Sequence, residues 1–191
     1  MLATIGVLSA IMLLAGGAFV YAASNVEKPK YKVLQKDDNI EIRQYPALRV
    51  AEIKRNGNRG RAVRNAFSPL ASYIFARERE GEKISMTAPV TQQKNGGSWT
   101  VQFIMPSKYT LKDLPKPDNA EVRLREIPAK KRVAIRFSGR QNDKLLAEKE
   151  QELRAWLKAK GITPKGNPLY AYYNDPFTPG FMRRNEVLFD F

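Results

Sequence analysis

Two stretches of this chain match each other at a distance. Ile40–Ala47 reads IEIRQYPA and Val122–Ala129 reads VRLREIPA; each sets an Arg two residues before an apolar residue that is followed by Pro-Ala. Arg49-Val50-Ala51 returns as Arg132-Val133-Ala134, and Val101-x-Phe103 returns as Val187-x-Phe189, with an offset that grows from about 82 to about 86 residues. That spacing is too long for a solenoid, whose units run to roughly 20–50 residues. It predicts two copies of one supersecondary unit packed face to face, and a cleft between two such halves is a natural ligand site.

The chain has 191 residues, 43% of them hydrophobic, which suits one ordinary domain with a core rather than a disordered chain. It has no cysteine, so disulfides, zinc thiolates, iron–sulfur clusters and thiol catalysis are excluded. It also has no histidine, which removes the commonest general base, the commonest metal ligand and the usual axial ligand of haem iron. The net charge of +14 favours anionic partners: lipid headgroups, carboxylate ligands or nucleic acid. No zinc-finger, RRM, KH or basic-zipper signature accompanies it, so nucleic acid is not expected as a partner.

Leu2–Ala23 carries no charge, and as a helix it would span about 33 Å, enough for a bilayer core. No Lys or Arg precedes the run, which favours an uncleaved anchor over a signal peptide cut near Val20-Tyr21-Ala22. Residues 1–23 are therefore read as a transmembrane anchor or signal segment and 24–30 as a linker. The expected location is membrane-anchored, or periplasmic if the segment is cleaved. Lys28, Lys30 and Lys32 follow the segment and would hold that side cytoplasmic by the positive-inside rule, so the side stays open.

Tyr31–Leu34, Ile40–Tyr45 and Leu48–Ile53 alternate as half-buried strands do. Over Arg61–Ala76 the period changes: Val63, Ala66, Phe67, Leu70 and Ile74 fall at helical spacing, with Pro69 inside as a source of bending or irregularity. Glu82–Thr91 reads as extended and is interrupted by Pro89; Trp99–Met105 is a strand. Lys108–Asn119, with Pro115 and Pro117, joins the halves, about 31–107 and 120–191. Strands at Val122–Ile127 and Arg132–Phe137, a helix at Asp143–Lys160 stopped by Gly161, and strands at Leu169–Tyr173 and Glu186–Phe191 complete the second half. The expected fold is α+β: a distorted antiparallel eight-stranded β-barrel from two pseudo-symmetric ββαββ-like halves with two main helices, plus an N-terminal apolar helix.

Three stretches then form a recognisable set: Glu82–Val90 (EKISMTAPV), Phe103–Ser107 (FIMPS) and Arg183–Val187 (RRNEV). With Ile40–Tyr45 and Arg136–Gly139 they resemble the SOUL haem-binding protein family over about residues 30–191. The resemblance implies a distorted barrel of two pseudo-symmetric halves. It also implies haem or a related tetrapyrrole as ligand, held in a shallow apolar cleft along the first helix at Arg64, Phe67, Leu70, Ala71 and Ile74. The chain departs from the family pattern in lacking a histidine, a basic residue at Ser72 and another near Pro179.

A flat porphyrin with two propionates can be gripped without an iron ligand, by area burial at roughly 25 cal/mol per Å² plus cations. Phe67, Leu70, Ala71 and Ile74 are the candidate wall; Arg61 and Arg64, one turn apart, are the candidate propionate partners. The same stripe also suits an ordinary buried helix face, and the basic run equally suits anionic lipid. Met86 offers a thioether, although Met beside a proline more commonly packs in a core. Tyr170, Tyr172 and Tyr173 offer rings to stack or a phenolate for ferric iron, or plain sheet packing. Arg183 is a further propionate candidate, with structural pairing as its commoner use. No nucleophile–base pair, phosphate loop or metal cluster appears, so the expected activity is non-catalytic binding. A membrane-surface or protein-interaction domain is the competing expectation, and the oligomeric state stays open.

Overall fold

The computed structural model describes residues 26–77 and 79–191. The anchor or signal segment expected at 1–23 lies outside the described residues, and no helix among those described is long and apolar enough to cross a membrane. Nine strands are present: β1 (Lys32–Asp37), β2 (Ile40–Tyr45), β3 (Leu48–Asn56), β4 (Val90–Asn95), β5 (Ser98–Ile104), β6 (Arg123–Ile127), β7 (Lys130–Phe137), β8 (Lys165–Tyr172) and β9 (Asn185–Asp190). Helix α1 (Arg59–Ile74) follows β3 and helix α2 (Asp143–Ala159) follows β7. The α+β class and the two helices are as expected. The strand total is one more than expected, because β1 adds to the four strands of each half.

All nine strands form one antiparallel sheet in the order β1-β2-β7-β9-β8-β4-β5-β3-β6. It curls into a half-barrel, and among the described residues no pairing joins β1 to β6 to close it. Apart from β1, the order reads alike from both ends once β2 is exchanged with β6, β3 with β7, β4 with β8 and β5 with β9. The registers follow the same exchange: Leu48 faces Ile127 as Lys130 faces Tyr45, and Val50 faces Arg125 as Arg132 faces Arg43. The Pro-Ala pairs explain the crossing. Pro46 and Pro128 lack the N–H that would continue a ladder. At each the chain turns a corner: β2 pairs across to β7 rather than to β3, and β6 to β3 rather than to β7.

The helices start alike. Asn58 Oδ1 accepts from the Arg61 amide at 3.0 Å, and Asn142 Oδ1 accepts from the Leu145 amide at 2.8 Å. Each satisfies one of the amides a helix N-terminus leaves unpaired. Helix α1 runs continuously through Pro69. Gly161, with φ 65°, follows the end of α2, the left-handed position that favours glycine.

Strand alternation divides the core into three. Ala66, Leu70, Tyr73 and Ile74 pack from α1 onto Ala51, Ile53, Val101 and Phe103 of β3 and β5. Leu146, Leu153 and Leu157 pack from α2 onto Val133, Ile135, Val187 and Phe189 of β7 and β9. Residues one step along those strands, such as Val50, Ala134 and Leu188, face the other side and line the inside of the curl with Tyr45, Leu169 and Ala171. Segment 83–89, expected as part of a strand or extended segment, has no ladder of its own. It is tied to the end of α1 by Ile84 N–H donating to the Ile74 carbonyl at 2.8 Å, and β4 starts only at Val90.

Candidate functional site

On the inner side of the curl, charge is buried but fully matched. Arg43 is 1% exposed and donates to both Glu186 oxygens at 2.8 and 3.0 Å, to Glu41 at 2.8 Å and to the Tyr45 hydroxyl at 3.1 Å. Glu186 also accepts from Arg184 at 2.7 Å and from the Tyr173 hydroxyl at 2.9 Å. The guanidiniums stack on rings, Arg43 at 4.4 Å from the Tyr31 centroid and Arg184 at 3.9 Å from that of Tyr173. Burial alone would raise the Glu186 carboxyl, but Arg43 and Arg184 outweigh it and hold it below the ordinary range. Every donor faces an acceptor, so this cluster is a structural clamp across β2, β8 and β9 with nothing left to offer a ligand.

Where the halves meet on the helix side, Arg59 joins them. It donates to Asp143 at 2.8 Å, to the Tyr172 hydroxyl at 3.1 Å and to Gln92 Oε1 at 3.4 Å. Beside it lies a hollow of about 320 Å³ lined by Asn58, Trp99, Asp143, Glu150 and Tyr170. Of its lining, Tyr170 is a candidate ring from sequence, whereas Arg59 and Trp99 are not among the candidates. Local sequence carries no signal for it, because the pairing partners lie 33 to 113 positions apart.

The expected α1 wall divides into two parts. Leu70 (0% exposed) and Ile74 (4%) are sealed beneath the helix against β3 and β5, so neither offers surface to a ligand. The reason is the width of the apolar stripe: one edge meets the sheet and the other does not. Phe67 lies on the open edge, 49% exposed, with its ring edge-on to Phe103 at 5.2 Å between centroids. Ala71 beside it is half-buried, and Arg61 and Arg64 are exposed. No carboxylate of the described residues pairs with either Arg, and the first turn of α1 contains no acidic residue.

Met86 is 54% exposed, so the core packing usual for such a Met does not apply here. Tyr172 is buried, its hydroxyl accepts from Arg59 at 3.1 Å, and burial pushes the phenol up to about 12, so the sheet-packing use is the one its surroundings favour. Arg183 donates to the Thr178 carbonyl at 2.8 Å and to the Pro176 carbonyl, so its guanidinium braces the β8–β9 loop instead of facing a ligand. That loop presents Phe181 (80% exposed) and Met182 (56%). Gly180 within it packs on Arg140, whose Cγ lies 3.1 Å from where a Cβ would stand. A cation thus flanks the loop near Pro179 from a distant part of the chain, a feature invisible in local sequence.

These open apolar residues share one end of the sheet. Val90, which follows the Met86 segment, pairs with Phe103 beneath Phe67 and with Tyr172, from which the β8–β9 loop departs. Exposed apolar groups gathered in this way on a soluble surface commonly mark a binding site.

The sequence profile of the SOUL heme-binding protein family matches residues 26–190. Human Heme-binding protein 2 is 31% identical over 186 residues, covering 90% of this chain and 89% of that protein. Among solved structures, an uncharacterized conserved protein from Listeria innocua aligns with a TM-score of 0.59 at 12% identity, over 79% of this chain and 91% of the other. The EcmrR C-terminal domain aligns with a TM-score of 0.59 at 12% identity, over 84% and 96%. At that identity these two likenesses speak for the fold alone.

Proposed function

The chain belongs to the SOUL heme-binding protein family, and from that premise we propose that it binds haem or a related tetrapyrrole, without turnover, on the open edge of α1. The observation that carries the placement is Phe67, half-exposed on a helix whose next apolar turns, Leu70 and Ile74, are sealed. Phe67, Ala71 and Met86 on one side and Phe181 and Met182 on the other supply apolar surface for a flat ring. Arg61 and Arg64 supply propionate partners from α1, and Arg140 supplies one beside the β8–β9 loop. The residues fit the group in kind: apolar contact for the macrocycle, and for its two acids guanidiniums without carboxylate partners among the described residues.

Bound haem brings an iron centre, and this chain has no imidazole with which to ligate it. The grip is therefore area burial plus charge. Covering about 300 Å² of apolar surface is worth roughly 7 kcal/mol before association costs, so a micromolar affinity also requires the propionate–guanidinium contacts. The alike order of the sheet from its two ends supports reading the halves as copies of one unit. The long uncharged run at Leu2–Ala23 supports a membrane anchor or export signal, and with it a membrane-proximal location.

Hemin titration of the purified chain, followed by Soret absorbance, tests the proposal. A saturable shift with a dissociation constant below about 10 μM is expected, weakened several-fold in Arg64→Glu and in Phe67→Ser. Absence of saturation in that range, or variants that bind as the wild type does, would overturn it.

A further inference from the structure

The chain enters the sheet at a pinned point. Glu27 makes a parallel bridge to Thr87, its carbonyl accepts from the Ala88 amide at 2.9 Å, and its carboxylate accepts from the Ser107 amide at 2.8 Å. A few residues on, the Tyr31 hydroxyl accepts from Arg184 Nη2 at 3.2 Å. The Arg184 carbonyl in turn accepts from the Tyr173 amide at 3.2 Å, closing the base of the β8–β9 loop. Segment 27–31 thus runs from the Met86 segment to the foot of that loop.

An anchor at Leu2–Ala23 would end only a few residues before Glu27. At no more than about 3.5 Å per residue, Glu27 would stand within about 14 Å of the hydrocarbon, and the headgroup layer fills about 6 Å of that distance. A domain of this length is about 40 Å across. It cannot stand clear of the bilayer on so short a tether, and the end bearing Thr87 and Arg184 is the near one.

Exposed apolar side chains gather at that end. Phe177 (81% exposed), Phe181 (80%) and Met182 (56%) stand on the β8–β9 loop, and Met86 (54%) is next to Thr87. The loop is braced from within. The Asp175 carboxylate accepts from the Thr178 hydroxyl at 2.6 Å and from the Phe177 and Thr178 amides at 2.7 and 3.0 Å, and Arg183 donates to the Thr178 and Pro176 carbonyls. A fixed loop that holds two phenyl rings in water is suited to entering an apolar boundary. Lys28 and Lys30 on the entry segment are exposed, as is Arg140 beneath Gly180. The acids of the entry segment and the loop, Glu27 and Asp175, already accept from amide and hydroxyl donors, so the charge these segments turn outward is positive.

We propose that this end of the domain lies on the bilayer, the β8–β9 loop entering the headgroup boundary through Phe177, Phe181 and Met182, with Lys28, Lys30 and Arg140 against anionic headgroups. The proposal rests on the anchor reading of Leu2–Ala23 and needs no bound tetrapyrrole.

The chain has no cysteine, so one introduced thiol carries one label. The full chain is reconstituted into vesicles of phosphatidylcholine and phosphatidylglycerol with an environment-sensitive fluorophore on Phe181→Cys, or on Lys94→Cys at the far end of β4, about 17 Å from Val90 along the strand. Both positions are exposed, so neither change disturbs packing. Retention through an alkaline carbonate wash reads the anchor; quenching by spin-labelled lipid reads the face. Because interfacial side chains reach about 5–10 Å into the headgroup boundary, quenching at Phe181→Cys is expected to exceed that at Lys94→Cys by about threefold or more. Equal quenching, or stronger quenching at Lys94→Cys, in a chain that survives the wash would overturn the orientation and leave the anchor standing. Loss of the chain in the wash would overturn both. Shielding of the Phe181→Cys label that rises with the protein-to-lipid ratio would assign the face to a second copy of the chain and overturn the proposal.

Discussion

Arg43 and Arg125 occupy the same place in the two matching stretches, yet their removal should have very different consequences. The Arg43 side chain is 1% exposed and bonds Glu186, itself at 0%; the Arg125 side chain is 58% exposed and reaches Glu52 at only 3.4 Å. Arg43→Ala deletes the bidentate partner of a buried carboxylate, the bonds to Glu41 and Tyr45, and the stack on Tyr31. Breaking a buried pair by removing one partner costs about 3–5 kcal/mol. Arg184 and Tyr173 remain on Glu186, which places the expected loss near the lower end, about 3 kcal/mol. Arg125→Ala removes an exposed ion pair worth about 0–1 kcal/mol. For a domain of this size about 3 kcal/mol lowers Tm by roughly 6–12 °C. Urea denaturation of both variants, read by tryptophan fluorescence and circular dichroism, measures the difference. The acid limb adds an independent check. The folded Glu186 carboxyl lies below its unfolded value of about 4.3, so its contribution is present above that pH and is lost as pH falls through the folded value. Glu186→Gln should therefore be less stable than wild type at pH 7, with the gap narrowing below about pH 4. Equal losses for Arg43→Ala and Arg125→Ala, or a pH-independent gap for Glu186→Gln, would refute the assignment of this cluster as the clamp of the sheet.

Leu70→Ala should cost about 2–5 kcal/mol in urea unfolding, as a sealed side chain does. Phe67→Ala should cost less than half as much while weakening hemin binding in the Soret titration. Tyr172→Phe should leave the hemin absorbance spectrum unchanged, because the phenol is raised to about 12 and its oxygen is engaged by Arg59. Arg59→Ala should lower stability by about 1 kcal/mol or less, since Asp143 is 83% exposed, but should raise amide exchange at the start of α2 by removing the cross-link.

Alternation and spacing located most strands, β4 (Val90–Asn95) being the exception, because each faces a core on one side and a different environment on the other. The Pro-Ala pairs were legible as a repeated motif, but not as crossings, since a corner is defined by which strand pairs beyond it. The helical stripe at Val63, Ala66, Phe67, Leu70 and Ile74 could not be divided in advance. Periodicity gives direction around a helix, whereas the limit between sealed Leu70 and open Phe67 depends on where the sheet ends. For Tyr172 and Arg183 sequence leaves a structural and a ligand-facing use side by side; their polar atoms are engaged by Arg59 and by the Thr178 and Pro176 carbonyls, contacts settled only in three dimensions. The contacts of Arg59 and Arg140 left no local trace, each being made with segments far apart in sequence.

The two halves share a frame but not a surface, and that difference bears on which half binds. Asn58 and Asn142 cap their helices in the same way, so the first turns of α1 and α2 are electrically comparable before side chains are added. Helix α2 then neutralises itself: Asp143 stands in its first turn, Lys149 pairs with Glu152, and Arg154 pairs with Glu150 while lying 4.4 Å over the Phe189 ring. Helix α1 has no acid in its first turn, keeps Arg61 and Arg64 without carboxylate partners among the described residues, and leaves Phe67 half exposed, whereas no large apolar side chain of α2 is exposed. Positive charge without carboxylate partners beside exposed apolar area is complementary to an amphipathic anion. Duplicate architecture with one unfinished face is thus the arrangement expected if the second half completes the sheet and the first half holds the ligand. A hemin-saturated chain in which Arg154→Glu weakens binding as much as Arg64→Glu would contradict that division of labour.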